Sequence, residues 1–144
     1  NIIDVDYVQG FSMLIKKTKD INFDKNIFLY LEDIDLCKRL IKNGKKIYVN
    51  KLFIVNHLGA KSTNLSKDDF DKIRNWHWMW SQYYFFKKYN GNFLAILKFL
   101  PKLIIILCKY YILHLFQNEN GNRYKFRANG LFSSIIGKKS YLRP

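Results

Sequence analysis

The 144-residue sequence has little cysteine, proline, glycine and acidic charge. Its two cysteines, Cys37 and Cys108, are too few for a disulfide framework, so we expect the protein in a reducing compartment. Two prolines and seven glycines leave no low-complexity linker. The longest uninterrupted apolar run, residues 103–108, is too short for a simple membrane span.

Apolar and basic side chains are in excess. Hydrophobic residues make up 49% of the chain and aromatic residues 17%, which excludes a disordered chain and fits one domain. The net charge is +14, and it is uneven: residues 1–92 hold 16 Lys/Arg and 10 Asp/Glu, whereas residues 93–144 hold nine Lys/Arg and only Glu119. Chemistry that needs carboxylates is therefore expected in the first part, and a basic attachment region in the second.

The first half of the sequence carries patterns of both strand and helix. Apolar alternation predicts a strand over residues 7–15, with a close approach or bulge at Gly10. Helical spacing predicts a helix over residues 32–43 that ends at Gly44. Two short strands, 46–49 and 52–57, are expected to follow.

The second half reads as helical. Ser66 followed by Asp69 predicts a capped helix start, and the helix should run to about Tyr89 and break at residues 90–92. A very apolar helix is then expected over residues 93–116, kinked at Pro101. Its three lysines, at positions 98, 102 and 109, fall on one narrow stripe, which is typical of a helix lying in a membrane interface.

The densest acidic cluster is residues 32–35. Carboxylates in a first helical turn serve as caps in the simplest interpretation. On a helical wheel Asp35 shares a face with basic residues and is expected in solvent, whereas Asp33 heads the apolar stripe of Leu36 and Leu40. A partly desolvated carboxylate in such a place can act as a general base.

His57 is the second candidate. A lone histidine at a strand end is more often structural, but a neutral imidazole is also a good ligand for a divalent ion. It precedes Lys61 and Ser62 in a loop rich in hydrogen-bond donors, which would suit a diphosphate.

Four motifs occur in order along residues 4–90: VQGFSMLIKK at 8–17, FLYLEDIDLCKRL at 28–40, GKKIYV at 44–49 and HLGAKS at 57–62. Together with the aromatic helix that follows, they resemble the second half of the catalytic domain of family 2 glycosyltransferases. The subgroup they resemble is the bacterial rhamnosyltransferase-type enzymes of surface polysaccharide synthesis.

The resemblance implies an α/β fold, a partial GT-A (Rossmann-like) domain on the acceptor side, followed by C-terminal amphipathic or apolar helices. It implies inverting transfer of a sugar, such as rhamnose, from a nucleotide-sugar donor to a glycan or lipid-linked acceptor. Asp33 matches the catalytic base and Glu32 an acceptor-sugar contact. Gly10 and Phe11 would border the cleft.

The resemblance also implies a cofactor. His57 matches a position that contacts a divalent cation (Mg²⁺ or Mn²⁺) or the diphosphate in related enzymes, and Lys61 and Ser62 would assist at the leaving diphosphate.

The nucleotide-binding half of that enzyme family and its acidic Asp-x-Asp motif have no counterpart in these residues. We therefore expect a piece of a longer chain, inactive in isolation. Residues 1–90 would be the C-terminal part of the catalytic domain, and residues 91–144 a basic, apolar, membrane-associating region.

Two other readings remain open. One is a non-catalytic basic module for membranes or nucleic acid, permitted by the charge of +14 and the many aromatic residues. The lysine stripe among leucines and isoleucines favours an anionic membrane surface, and no nucleic-acid partner is predicted. The other is a metal-dependent hydrolase built from Glu32, Asp33 and His57. Because basic segments flank the apolar stretch, the expected location is the cytoplasmic face of the bacterial inner membrane, peripheral or shallowly inserted.

Overall fold

A computed structural model describes residues 1–16, 21–57, 65–118 and 120–143. In chain order the elements are β1 (Ile2–Asp4), a single 3₁₀ turn (Gly10–Ser12), α1 (Glu32–Lys42), β2 (Tyr48–Asn50), α2 (Lys67–Asn90), α3 (Asn92–Leu115) and α4 (Gly121–Ile135). They fall into two compact units. The N-terminal unit is Asn1–Ile27 with Leu31–Asn64, and the helical unit is Phe28–Tyr30 with Leu65–Pro144.

The expected α/β fold, a partial GT-A domain, is wrong. The sheet formed by the described residues has only β1 and β2, paired antiparallel with Ile3 opposite Val49. A Rossmann-like domain needs parallel strands joined by helical crossovers, and such pairs are absent from the described part of the chain. Four α-helices make up most of the described structure instead.

Two of the predicted strands fail for the same reason. Within segment 7–15 residues 10–12 form a 3₁₀ turn, and neither this segment nor residues 52–57 pair with a strand in the described structure. Alternation of apolar residues shows that a segment can be a strand, but a strand exists only where another backbone pairs with it. The third prediction, 46–49, is close to the observed β2.

In the N-terminal unit, α1 lies where the sequence predicted it. The helix ends as expected at Asn43 and Gly44, and Gly44 has a φ of +72°, a conformation that glycine adopts without strain. Leu36 and Cys37 are each 1% exposed, and Ile27 and Ile47 are also buried in this unit.

In the helical unit, local signals set the helix boundaries. Ser66 caps α2: its Oγ accepts a hydrogen bond from the Asp69 backbone N–H at 3.1 Å and donates one to the Asp69 carboxylate at 2.8 Å. Gly91, with a φ of +86°, separates α2 from α3, so the predicted break is confirmed. Pro101 lies inside α3, which continues through it.

The core of the helical unit is apolar and draws on three helices. Its buried members are Met79, Tyr83, Ala95, Phe99, Leu103, Ile106, Ala128 and Leu131. The segment after α4 is fixed to α2 by polar contacts: the Trp80 indole N–H donates to the Lys138 carbonyl at 2.9 Å, and His77 contacts the Leu142 carbonyl at 2.7 Å. Much of the basic C-terminal region is therefore folded onto α2.

The predicted lysine stripe of α3 is not a uniform solvent-facing row. Lys102 is half-buried, and its Nζ donates to Gln82 Oε1 at 2.8 Å. Lys98 and Lys109 are exposed, as is Cys108, whereas Cys37 is buried in the N-terminal unit. Across the described ranges, we find no helix with both the length and the apolar character required to cross a membrane.

Candidate functional site

The candidate site lies at the N-terminal end of α1, within the N-terminal unit. Asp33 Oδ2 accepts a hydrogen bond from the Gly10 backbone N–H at 3.0 Å, and Asp33 Oδ1 accepts one from the Ile34 N–H at 2.8 Å. The first bond joins residues that are 23 positions apart in the sequence. Because each carboxylate oxygen has two lone pairs, about half of the acceptor positions of Asp33 remain for a further partner.

The 3₁₀ turn links Asp33 to His57. Gly10 at the start of the turn donates to Asp33, and the next residue, Phe11, stacks on the His57 ring with centroids 4.6 Å apart and planes inclined by 8°. Phe11 is 48% exposed, and His57 is exposed as well. Three predicted site segments that are distant in the sequence therefore meet around one turn.

Gly10 has no steric need to be glycine in the folded chain. A Cβ added there would lie 3.5 Å from the Asp33 Cβ and 3.8 Å from its Oδ2, which are ordinary contact distances. The predicted close approach is therefore the contact between Gly10 and Asp33. The Gly10 backbone lies directly beside the Asp33 carboxylate.

Glu32 contributes a second carboxyl group with an unusual environment. Its Oε2 is buried and has no hydrogen-bond partner among the described residues. Burial raises the pKa of the Glu32 carboxyl, and the neighbouring Asp33 charge acts in the same direction, while its own backbone N–H lowers the pKa. A buried carboxyl oxygen without a partner is costly, and a ligand hydroxyl would satisfy it.

The backbone that leads into Glu32 is strained. Tyr30 and Leu31 both have a φ of +68°, the left-handed region that side chains with a Cβ rarely adopt. Leu31 occupies the position before α1 and provides no side-chain cap. Strain of this kind costs about 1–3 kcal/mol per residue and is concentrated at functional sites.

Asp35 is placed differently from its prediction. The wheel put it on a solvated face, but it is 0% exposed, and its Oδ2 accepts from Arg39 Nε at 2.9 Å. Arg39 also donates through Nη2 to the Asn22 carbonyl at 2.6 Å, so the guanidinium covers the carboxylate. The Asp35 carboxylate is therefore part of a buried ion pair in the N-terminal unit, whereas Asp33 is half-buried and belongs to the candidate site.

The metal assignment lacks a ligand set. In the stretches that the structure describes, no three His, Cys, Asp or Glu side chains come close enough to hold a metal ion. His57 is left as a single candidate ligand, and Lys61 and Ser62 lie outside the described residues. The divalent cation therefore stays a prediction, and no step of the reaction is assigned to one.

The sequence predicted Gly10, Phe11, Asp33 and His57 as site residues and grouped them only through the resemblance. It missed the left-handed pair Tyr30–Leu31, which no sequence pattern signals because neither residue is Gly, Asn or Asp. It also missed the isolation of Glu32 Oε2, which depends on the tertiary environment of α1.

No family model, no curated protein and no solved structure matches the chain.

Proposed function

We propose that the chain supplies the catalytic base and acceptor-binding residues of an inverting glycosyltransferase that uses a nucleotide-sugar donor. The observation that carries this proposal is the hydrogen bond from the Gly10 N–H to the Asp33 carboxylate. It brings together two segments that the resemblance assigns to one cleft. The segment carrying His57 joins them through its stacking on Phe11.

In the proposed reaction Asp33 accepts the proton of the acceptor hydroxyl. As that proton leaves, the hydroxyl oxygen forms a bond to the anomeric carbon of the donor sugar from the face opposite the leaving group. The bond from the anomeric carbon to the diphosphate oxygen breaks, and its electron pair departs with the nucleoside diphosphate. The two backbone N–H groups fix the orientation of the carboxylate, which is what a general base requires.

Glu32 is proposed to hold the acceptor sugar. Its unpartnered Oε2 and its raised pKa favour a carboxyl group that exchanges hydrogen bonds with sugar hydroxyls. The acceptor would be a glycan or a lipid-linked glycan.

We infer that the 144 residues alone do not transfer sugar. The described site offers a base and acceptor contacts, but donor binding requires groups that hold a nucleotide and a diphosphate. Measurable transfer by the isolated chain would contradict this inference.

The decisive experiment replaces Asp33 by Asn in the full-length protein. The assay supplies a panel of radiolabelled nucleotide-sugars and lipid-linked glycans as acceptors. Asn is nearly isosteric, and its one amide oxygen can accept the Gly10 N–H bond while the Ile34 N–H bond is lost. Circular dichroism should show that folding is retained, but an amide cannot take the proton. We expect transfer to fall by about 10²–10⁴-fold.

Asp68→Asn is the matched control, because it removes an exposed carboxylate from the first turn of α2. It should retain wild-type transfer. Near-normal turnover of Asp33→Asn, or a wild-type protein that transfers no sugar from any donor in the panel, would refute the proposed function.

A further inference from the structure

One side of α3 in the helical unit is apolar and exposed. We define the α3 apolar face by Leu97, Leu100, Ile104, Ile105, Ile112 and Leu115, which are between 47% and 79% exposed. The opposite side of the same helix supplies four buried residues to the core, beginning with Ala95 and Phe99. At 3.6 residues per turn the exposed residues span a continuous band about 140° wide.

The α3 apolar face carries no charge along its length. The lysines of α3 lie elsewhere: Lys102 turns towards Gln82, and burial lowers the pKa of its ammonium group. Lys98 and Lys109 are exposed and sit by their helical positions along one border of the face. The Nζ of Lys98 lies 4.2 Å from the centroid of the Phe86 ring, which holds the cation at that border.

The face continues beside a shallow groove between α3 and α4. This groove has a volume of about 260 Å³, and its apolar lining includes Leu103, Leu107 and Phe132. Phe132 is 52% exposed. Lys125 also lines the groove, so an exposed cation lies on α4 next to the apolar surface.

The charges indicate which partner fits this surface. From residue 93 onward the chain has nine basic residues and a single acidic one. An uncharged apolar band with cations at its border complements a lipid surface, in which phosphate groups cover a layer of apolar acyl chains. A second copy of the same face would bring lysine borders of like charge together, which opposes self-association.

We propose that the α3 apolar face docks on the surface of an anionic lipid bilayer, with the helix axis parallel to the membrane plane. Leucine and isoleucine side chains enter the boundary between headgroups and acyl chains, and Lys98, Lys109 and Lys125 meet lipid phosphates. Anionic lipids are concentrated on the cytoplasmic leaflet, so that surface is the one we assign. This docking does not depend on the proposed glycosyl transfer.

Vesicle flotation with the 144-residue chain tests the docking. The vesicles contain phosphatidylcholine with about one-third phosphatidylglycerol. The wild-type chain should float with them. A variant with Ile104→Asp and Ile112→Asp should lose binding by about tenfold or more, because a carboxylate cannot enter the apolar boundary and is repelled by the lipid charge.

Ile54→Asp is the matched control, since Ile54 is 88% exposed but lies in the N-terminal unit. It should bind as the wild type does. Far-ultraviolet circular dichroism verifies that each variant keeps its helix content, and Leu97→Asp provides an independent change on the same face. Lys98→Gln combined with Lys109→Gln should weaken binding and reduce its dependence on salt.

Three results would overturn the proposal. The first is a wild-type chain that does not float, and the second is equal flotation of the wild type and the double aspartate variant. The third is a concentration-dependent dimer in sedimentation velocity that Ile104→Asp dissociates in the absence of vesicle binding, because a second copy would then cover the face. Equal binding to vesicles of phosphatidylcholine alone would contradict the role of the lysines.

Discussion

The Cα of Gly130 lies directly against the backbone carbonyl of Trp76, so that a Cβ at Gly130 would overlap the carbonyl oxygen. The neighbouring residue strengthens this crossing of α4 over α2, because the Trp76 indole N–H donates to Asn129 Oδ1 at 2.7 Å. The two helices therefore meet backbone to backbone at this point. The approach requires glycine.

Gly130→Ala is expected to destabilise the helical unit by at least about 1–3 kcal/mol, since the helices must separate to admit the methyl group. The midpoint of urea unfolding, followed by circular dichroism, measures the loss. Gly121→Ala in the same helix is the matched control, because its Cβ would meet the nearest atom at an ordinary 3.6 Å. Gly121→Ala should leave the free energy of unfolding unchanged or raise it slightly. Equal losses of stability in both variants would contradict the close approach of Gly130 to Trp76.

Arg39→Gln is expected to destabilise the N-terminal unit by about 1.5–3 kcal/mol. The change removes the cation that donates to the fully buried carboxylate of Asp35, together with the bond to the Asn22 carbonyl. Lys42→Gln removes the same charge from the same end of α1, but at an exposed position. Chemical denaturation should place the control within about 0.5 kcal/mol of the wild type. Similar losses in the two variants would show that only the charge near the helix end matters.

Glu32→Gln is expected to stabilise the N-terminal unit near neutral pH. Burial raises the pKa of Glu32 above its ordinary value of 4.5, so the folded state bears an extra cost whenever the carboxyl is ionised. Below pH 4.5 the carboxyl is protonated in both the folded and unfolded states, and the cost disappears. Unfolding in urea at pH 7 and at about pH 4 should therefore show a gain at pH 7 that shrinks on acidification. A gain in stability of the same size at both pH values would contradict the role of Glu32 ionisation.

His77→Gln is expected to flatten the pH dependence of stability. Burial lowers the pKa of His77 below 6.5, and the charge of Arg143 lowers it further, while the Leu142 carbonyl acts in the opposite direction. The unfolded chain therefore binds more protons than the folded one, so stability is complete above pH 6.5 and is lost as the pH falls through the folded pKa.

Thermal unfolding between about pH 7.5 and pH 5 measures this slope. In the folded protein His77 also contacts Ser140 Oγ at 3.0 Å through Nδ1, so its loss should loosen the segment after α4. His114→Gln removes an exposed imidazole from α3 and is the comparison variant. A slope that is lost equally in both variants would contradict its assignment to His77.

Helix boundaries could be predicted from the sequence because their causes are local. Ser66 and Asp69 are three residues apart, and Gly44 and Gly91 act on the turn that precedes them. Strands could not be predicted in the same way, since pairing depends on which distant segment is available. Residues 7–15 have the alternation of a strand, but the structure gives them a turn whose first residue contacts Asp33.

The burial of individual polar side chains could not be predicted from the sequence either. A helical wheel assigns faces by the average of their residues, so it placed Asp35 in solvent with its basic neighbours. In the folded chain Arg39 covers that carboxylate with help from the Asn22 carbonyl, a contact over 17 residues that no wheel contains. Asp33 was predicted as a site residue, but the hydrogen bond from the Gly10 N–H that orients its carboxylate follows only from the fold.

The two cysteines differ in solvent exposure, so one of them can carry a fluorescent label. Cys37 is sealed in the interior, whereas the exposed Cys108 lies by its helical position in the middle of the α3 apolar face. A maleimide dye should therefore attach to a single thiol without any engineered substitution. An environment-sensitive dye placed there would sense the polarity of whatever covers α3, and its emission would shift to shorter wavelength on contact with a bilayer.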